Sequence, residues 1–160
     1  MKRILFLCLG LLITLTAFAS SPASRVKDTP KVVAEKMLDT ILADYDGEVV
    51  LVDFWATWCN PCLRAMAQME PLKAERLKDV KFVYITGKTS PRNKWEEMIP
   101  ELHGDHYYLT DDQLNVIFSQ IGSNAFPTYL IVDKDGNRSK AFIGYQGETM
   151  LRQINESLKR

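Results

Sequence analysis

The chain has 160 residues, of which 46% are hydrophobic and 25% are charged, and its 20 basic and 20 acidic residues cancel. This composition is typical of a globular protein with enough residues for one domain and one core, and it excludes a disordered chain. No basic stripe is visible in the sequence, so we expect no nucleic-acid partner. We also expect a monomer that requires no cofactor.

Residues 1–19 have the pattern of a secretory signal peptide. Lys2-Arg3 forms a positive start, residues 4–15 form a short apolar run, and Ala17-Phe18-Ala19 is a small-x-small cleavage signal. We therefore predict a mature chain that begins near Ser20 in the periplasm or another extracytoplasmic compartment. The alternative is an uncleaved N-terminal tether, because the apolar run is only somewhat shorter than the roughly 20 residues of a membrane span.

Cleavage of this segment would remove Cys8 and leave Cys59 and Cys62 as the cysteines of the mature chain. Disulfides persist outside the cytoplasm, so the exported pair can be oxidised there. A bridge that closes so short a loop stabilises a fold only slightly. A purely structural role is therefore a poor explanation for the pair.

Residues 20–30 are rich in Ser, Pro and Lys, and we predict a flexible leader there. The remaining residues, 31–160, are predicted to form the domain. An apolar stripe after Lys31 predicts a first helix to about residue 42, and residues 45–48 are predicted to turn into the next strand.

The central stretch of the chain begins with Val49–Phe54, whose apolar run predicts a strand buried on both faces of a partly parallel sheet. A C-x-x-C pair, Cys59 and Cys62, follows as the spacing of apolar residues becomes helical. Unpaired amide groups at a helix start favour negative charge. We therefore expect Cys59 to be the exposed, attacking thiol with a lowered pKa and Cys62 to be the shielded, resolving thiol. Pro61 suits the first helical turn.

The rest of the chain alternates helices and strands. The helix after Cys62 is predicted to continue to about Leu77 with a bend at Pro71, and Asp111 or Asp112 is predicted to cap a later helix. The other predicted elements are a strand at 80–85, a helix at 92–102, a strand at 106–109, a hairpin with strands at 129–132 and 141–143, and a last helix at 147–158. This order predicts an α/β domain with a central mixed sheet and helices on both faces.

Two motifs in this order resemble a known family. Residues 52–62, Val-Asp-Phe-Trp-Ala-Thr-Trp-Cys-Asn-Pro-Cys, resemble the active-site segment of the thioredoxin superfamily, and are most similar to the TlpA/ResA-type extracytoplasmic thiol-disulfide oxidoreductases. The resemblance continues through Phe126-Pro127-Thr128 and residues 129–136. It implies the thioredoxin fold. The predicted first helix departs from the family pattern, in which a strand hairpin usually precedes the active-site strand.

The resemblance also implies roles for individual residues. A carboxyl in an apolar strand should have a raised pKa, and the family pattern implies that Asp53 assists proton transfer at Cys62; a buried structural hydrogen bond is the alternative. The family pattern further implies a cis peptide before Pro127, which could instead be an ordinary proline at the start of a strand. The residues expected to border or contact substrate are Trp58, Asn60, Pro61, Phe126 and Pro127.

The implied activity is thiol-disulfide exchange with disulfide- or dithiol-containing proteins through a mixed disulfide. Asn60-Pro61 is close to the Gly-Pro of reducing thioredoxins, so the resemblance favours a reductant that depends on an external, membrane-linked electron donor.

Two other functions remain open from the sequence. His103 and His106 form an H-x-x-H that could combine with the C-x-x-C into a zinc set, although a strand and a helix separate the two motifs and we expect no metal. Residues 133–137 resemble the opening of a calcium loop but lack its terminal Glu. A redox-silent interaction or chaperone module is the other alternative.

Overall fold

The computed structural model describes residues 23–160. The predicted signal peptide and Cys8 lie outside these residues. Within them the elements are β1 (Ser24–Val26), α1 (Met37–Ala43), β2 (Val49–Phe54), α2 (Asn60–Arg76), β3 (Val80–Gly87), α3 (Arg92–Met98), β4 (Gly104–Leu109), α4 (Asp111–Ile121), β5 (Thr128–Val132), β6 (Phe142–Ile143) and α5 (Glu148–Leu158). Single 3-10 turns precede α1 and follow α3.

The six strands form one mixed sheet in the order β1-β4-β3-β2-β5-β6. The first four strands in this order are parallel to one another, whereas β5 runs antiparallel to β2 and β6 runs antiparallel to β5. Phe54 at the end of β2 pairs with Thr128 at the start of β5. The loop after β2 and the residues before β5 therefore meet at the same edge of the sheet.

Helices cover both faces of the sheet, as predicted. Every residue of β2 is buried, and because successive side chains point to opposite faces, its Val49 and Leu51 pack with α2 and α5 while Val50 and Val52 pack with α1 and α4. Residues 23–160 thus have the α/β architecture of the thioredoxin fold. Within this part of the chain no helix is both long and apolar enough to cross a membrane.

The prediction of a flexible leader is wrong for residues 24–26, which form β1. This strand pairs in parallel with β4, and the Arg25 guanidinium donates two hydrogen bonds, of 2.6 and 3.1 Å, to the buried carboxylate of Asp105. The partner strand lies about eighty residues away in sequence, so local composition carries no sign of the pairing. The folded domain therefore begins before residue 31.

The predicted cap of α4 also needs correction. Thr110, rather than Asp111 or Asp112, is the N-cap: its hydroxyl accepts the Gln113 backbone N–H at 3.2 Å, and the Gln113 side chain accepts the Thr110 N–H at 2.9 Å. This reciprocal pair is a capping box. The two aspartates occupy the first turn, where negative charge also favours a helix.

The helix predicted over residues 92–102 is shorter than expected. It ends as α3 at Met98 and continues only as a 3-10 turn that contains Pro100. Proline has no backbone N–H to donate and clashes with the preceding helical turn, which accounts for the change.

Candidate active site

The two cysteines form a disulfide at the junction between β2 and α2, where the sequence placed them. The Cys59–Cys62 Sγ–Sγ distance is 2.07 Å. Cys59 is the N-cap of α2, its Sγ accepts the backbone N–H of Cys62 at 3.2 Å, and Pro61 occupies the first helical turn. The sulfur thus occupies the position at which a helix N-terminus stabilises negative charge.

The expected exposure of Cys59 is not found. Its exposed fraction is 3%, and that of Cys62 is 0%. In this disulfide form both residues belong to the core cluster on the α2 side of the sheet, which accounts for their burial. Asn60 and Pro61 are exposed, so Cys59 lies directly beneath a rim of accessible residues.

Trp58 is the most prominent side chain on this rim, with an exposed fraction of 58%. Its ring lies edge-on to Phe126, with 5.9 Å between ring centroids, and its indole N–H donates to the Thr89 carbonyl at 3.1 Å. Trp55, in contrast, is fully buried in the core. Trp58 therefore joins the loop before β5 to the loop after β3.

The peptide between Phe126 and Pro127 is cis, as the family resemblance implies. Pro127 precedes Thr128, which pairs with Phe54, so the proline lies at the sheet edge where the redox loop begins. Its carbonyl accepts the Gly144 N–H at 2.8 Å, and the Ala125 carbonyl accepts the Thr128 hydroxyl at 2.7 Å. These bonds tie the proline segment to the end of the sheet.

Asp53 is buried near the end of β2, with an exposed fraction of 1%. Within residues 23–160 neither carboxylate oxygen has a hydrogen-bond partner, so the alternative of a structural hydrogen bond finds no support in the described residues. Burial raises the pKa of Asp53 to about 8, and the positive charge of Lys73 acts in the opposite direction. The predicted rise in pKa is therefore confirmed.

Lys73 is a neighbour of this carboxyl that the sequence analysis missed. Its side chain is 6% exposed, and its ammonium donates to the Tyr84 hydroxyl at 2.6 Å and to the His103 carbonyl at 2.9 Å. It also forms an ion pair of 2.6 Å with Glu70. Burial lowers the pKa of Lys73, while the Glu70 hydrogen bond and charge oppose this shift. Helical spacing could have revealed it, because Lys73 continues the buried stripe of Cys62, Met66 and Met69.

The two histidines do not assemble a zinc site with the cysteines. The His103 Nδ1 contacts the Glu70 carboxylate, while the His106 Nε2 contacts the Leu102 carbonyl at 2.8 Å. Across residues 23–160 there is no cluster of three or more His, Cys, Asp or Glu side chains that could hold a metal ion. Residues 133–137 form a turn in which Asp133 accepts backbone N–H groups, as predicted for a hairpin.

The sequence matches the Redoxin family over residues 24–158. The chain belongs to this family. The match spans every element from β1 to α5, so the Redoxin domain includes the strand that the sequence analysis had assigned to the leader.

Two individual relatives are similar to this chain in sequence. The thiol-disulfide oxidoreductase ResA of Geobacillus thermodenitrificans is 29% identical over 118 residues, which are 74% of this chain and 67% of that protein. An uncharacterized protein of Haemophilus influenzae is 30% identical over 122 residues, covering 72% of this chain and 76% of the relative.

Two solved structures are similar in fold. A thioredoxin-family thiol:disulfide interchange protein of Chlorobium tepidum has a TM-score of 0.56 and 25% identity, covering 73% of this chain and 84% of that one. The exposed lipoprotein thioredoxin Etrx1 of Streptococcus pneumoniae has a TM-score of 0.57 and 22% identity, covering 72% of this chain and 89% of that one. Together with the paired cysteines, these comparisons support a TlpA/ResA-type, thioredoxin-like thiol-disulfide oxidoreductase, as predicted.

Proposed function

We propose that this Redoxin-family protein reduces disulfides of protein substrates outside the cytoplasm, using Cys59 and Cys62 as its dithiol. The observation that carries the proposal is the position of the Cys59 sulfur at the start of α2, where it accepts the Cys62 N–H. The same contact would stabilise a thiolate after reduction, because N–H groups at a helix start interact favourably with negative charge.

The first step forms a mixed disulfide. The Cys59 thiolate attacks one sulfur of the substrate disulfide, a new bond joins that sulfur to Cys59, and the other substrate sulfur leaves as a thiolate that takes up a proton. The rate depends on the thiolate fraction of Cys59 and on access of the substrate to the rim around it.

The second step releases the substrate. The Cys62 thiol gives its proton to Asp53 and attacks the Cys59 sulfur, which restores the Cys59–Cys62 disulfide and frees the second substrate thiolate. With a pKa of about 8, the Asp53 carboxyl can accept and return a proton near neutral pH. Two electrons have then passed to the substrate, and an external electron donor must reduce the enzyme again.

The docking surface in this proposal is the rim around Cys59. Exposed Trp58 and its neighbour Phe126 form an aromatic pair, which is the kind of surface that binds polypeptides well. Asn60 and Pro61 complete the exposed side, and Pro127 lies at the same sheet edge. The family resemblance suggests that backbone groups of Phe126 pair with the substrate.

The proposed location of the protein and the proposed reducing direction of the reaction rest on features of the sequence. The signal-like residues 1–19 support export, with an uncleaved tether as the alternative, and export implies an electron donor linked to the membrane. The Asn60-Pro61 pair supports the reducing direction. We propose that the enzyme acts as a monomer.

An insulin-reduction assay with dithiothreitol tests the activity. The wild-type protein should accelerate insulin precipitation, whereas Cys59→Ser and Cys62→Ser should each remove the acceleration. These two variants form a matched pair, because Cys62→Ser should accumulate mixed disulfides with substrate and Cys59→Ser should not. If the protein without either cysteine acts like the wild type, the redox-silent alternative is correct.

A further inference from the structure

The loop after β3, residues 88–91, contacts the segment that leads into Cys59. The Ser90 hydroxyl accepts the backbone N–H of Thr57 at 3.0 Å, and the Thr89 carbonyl accepts the indole N–H of Trp58 at 3.1 Å. Two consecutive residues of one loop thus bind the two residues that immediately precede the attacking cysteine. None of these contacts belongs to the Cys59, Cys62 and Asp53 chemistry described above.

Ser90 itself is rigidly held. It is fully buried, and its hydroxyl also bonds to the Thr86 hydroxyl at 2.8 Å. Its backbone N–H donates to the Gly87 carbonyl at 2.9 Å, and its carbonyl accepts the Tyr108 hydroxyl at 2.6 Å. Because all of its polar groups have partners, Ser90 cannot rotate without breaking several buried hydrogen bonds.

Trp58 is fixed in spite of its exposure. The Thr89 carbonyl accepts the indole N–H, and the ring also lies edge-on to Phe126. An exposed side chain normally loses rotamer freedom when a partner binds to it, and this loss weakens binding. Here the contacts with Thr89 and Phe126 restrict the ring before any partner arrives.

We propose that Ser90 is a positioning residue which, together with the Thr89 carbonyl, fixes Trp58 as a docking platform for polypeptide disulfides. The inference rests on the proposed function and adds a basis for substrate choice. A polypeptide lies across the aromatic pair while its disulfide approaches Cys59. A small disulfide reaches the sulfur without contacting the platform, so it gains nothing from a fixed indole.

Two variants test this proposal. Ser90→Ala removes the acceptor for Thr57, and Trp58→Phe keeps an aromatic ring but removes the indole N–H. Each should lower kcat/KM for insulin about fivefold, mainly through KM, as expected for one lost hydrogen bond. Each should lower kcat/KM for hydroxyethyl disulfide by a smaller factor, about twofold at most, so the preference for insulin over the small disulfide should fall. Ser157→Ala is the matched control, because it removes a buried serine hydroxyl of α5 that donates to the Gln153 carbonyl and does not contact the redox loop; it should change kcat/KM for neither disulfide.

The outcomes separate this inference from the proposed function. A wild-type protein that reduces neither disulfide contradicts the proposed function. Equal losses on insulin and on hydroxyethyl disulfide, or no loss on either, overturn the role of Ser90 in docking. If Ser90→Ala does not fold, Ser90→Cys takes its place, because the cysteine has a similar size but accepts the Thr57 N–H only weakly. Trp58→Phe then still tests the indole contact with Thr89.

Discussion

Asp53 on β2 and Tyr84 on β3 occupy paired positions of the parallel ladder, and the Tyr84 hydroxyl accepts a hydrogen bond from the Lys73 ammonium. Tyr84 therefore neighbours both the buried carboxyl of Asp53 and the buried ammonium of Lys73. Burial raises the pKa of Asp53, and the charge of Lys73 partly offsets that rise. The charge state of the proposed proton carrier is thus set by residues of both the sheet and α2.

Asp53→Asn should make the oxidised protein more stable, and increasingly so as pH rises. Between pH 3.8, the ordinary pKa of an aspartate carboxyl, and about pH 8, the folded protein keeps the Asp53 proton that the unfolded chain has lost. The unfolded state then binds fewer protons, so the free energy of unfolding falls with pH by up to about 1.4 kcal/mol per unit. The advantage of the variant should grow by several kcal/mol from pH 4 to pH 8, as measured by urea unfolding.

The exposed Asp79 supplies the control for that experiment. Asp79→Asn removes one carboxylate at the turn before β3 without changing the core, so its stability difference from the wild type should stay nearly constant with pH. A difference for Asp53→Asn that is equally flat between pH 4 and pH 8 would contradict the raised pKa.

Asp53→Asn should also slow the release of the reduced substrate. Without the Asp53 carboxyl, Cys62 must lose its proton to solvent, and loss of a general base costs on the order of 100-fold. Single-turnover mixing of reduced enzyme with a peptide disulfide should show normal formation of the mixed disulfide and slow resolution. Slow formation together with normal resolution would assign Asp53 to the attacking cysteine instead.

Lys73→Met should move the pH midpoint of this resolution step upward. The lysine charge favours the ionised form of Asp53, so its loss leaves desolvation unopposed and raises the pKa of the carboxyl further. The pH profile of resolution measures the midpoint. Lys78→Met, a change at an exposed lysine just beyond α2, should leave it in place. An unmoved midpoint in Lys73→Met would show that the two buried groups act independently.

Arg25→Met should weaken the attachment of β1. Burial alone would raise the pKa of Asp105, but hydrogen bonds from Arg25 and Tyr45 lower it overall. Without its partner the buried carboxylate should destabilise the fold by about 1–2 kcal/mol at pH 7, less than for a fully buried pair because the Arg25 side chain is mostly exposed.

The sign of the pH dependence provides a check on this prediction. Because the pKa of Asp105 is lowered on folding, the stabilisation by Arg25 is present above about pH 4 and is lost as pH falls through the folded pKa. The difference between Arg25→Met and the wild type in chemical unfolding should therefore shrink in acid. A difference that does not shrink in acid would mean that Arg25 acts through packing rather than through its charge.

Local patterns in the sequence were sufficient for the centre of the molecule. The apolar run of β2, followed by helical spacing, placed both cysteines correctly at the strand and helix junction. The Phe126-Pro127-Thr128 motif likewise placed a cis proline at the same sheet edge. These features depend on neighbours in sequence or on a family motif.

The errors concern contacts between distant parts of the chain. Three contacts join residues that only the folded chain brings together: the pairing of β1 with β4, the hydrogen bond from Lys73 to Tyr84, and the hydrogen bond that Thr57 donates to Ser90. Cys59 was expected to be exposed because it stands at the helix start, where a reactive thiolate is favoured, but core packing covers it. The cap of α4 was different: Thr110 and Gln113 have the spacing of a capping box, which could have been read from the sequence.

The parallel arrangement of β1, β4, β3 and β2 has a practical consequence. All four strands start at the same end of the sheet, and the disulfide follows the opposite end of β2. The described chain therefore enters the domain at Ala23, at the end of the sheet far from the sulfurs. An affinity handle, a fluorophore or a solid support attached ahead of Ala23 will leave the end of the sheet that carries the disulfide free for incoming molecules.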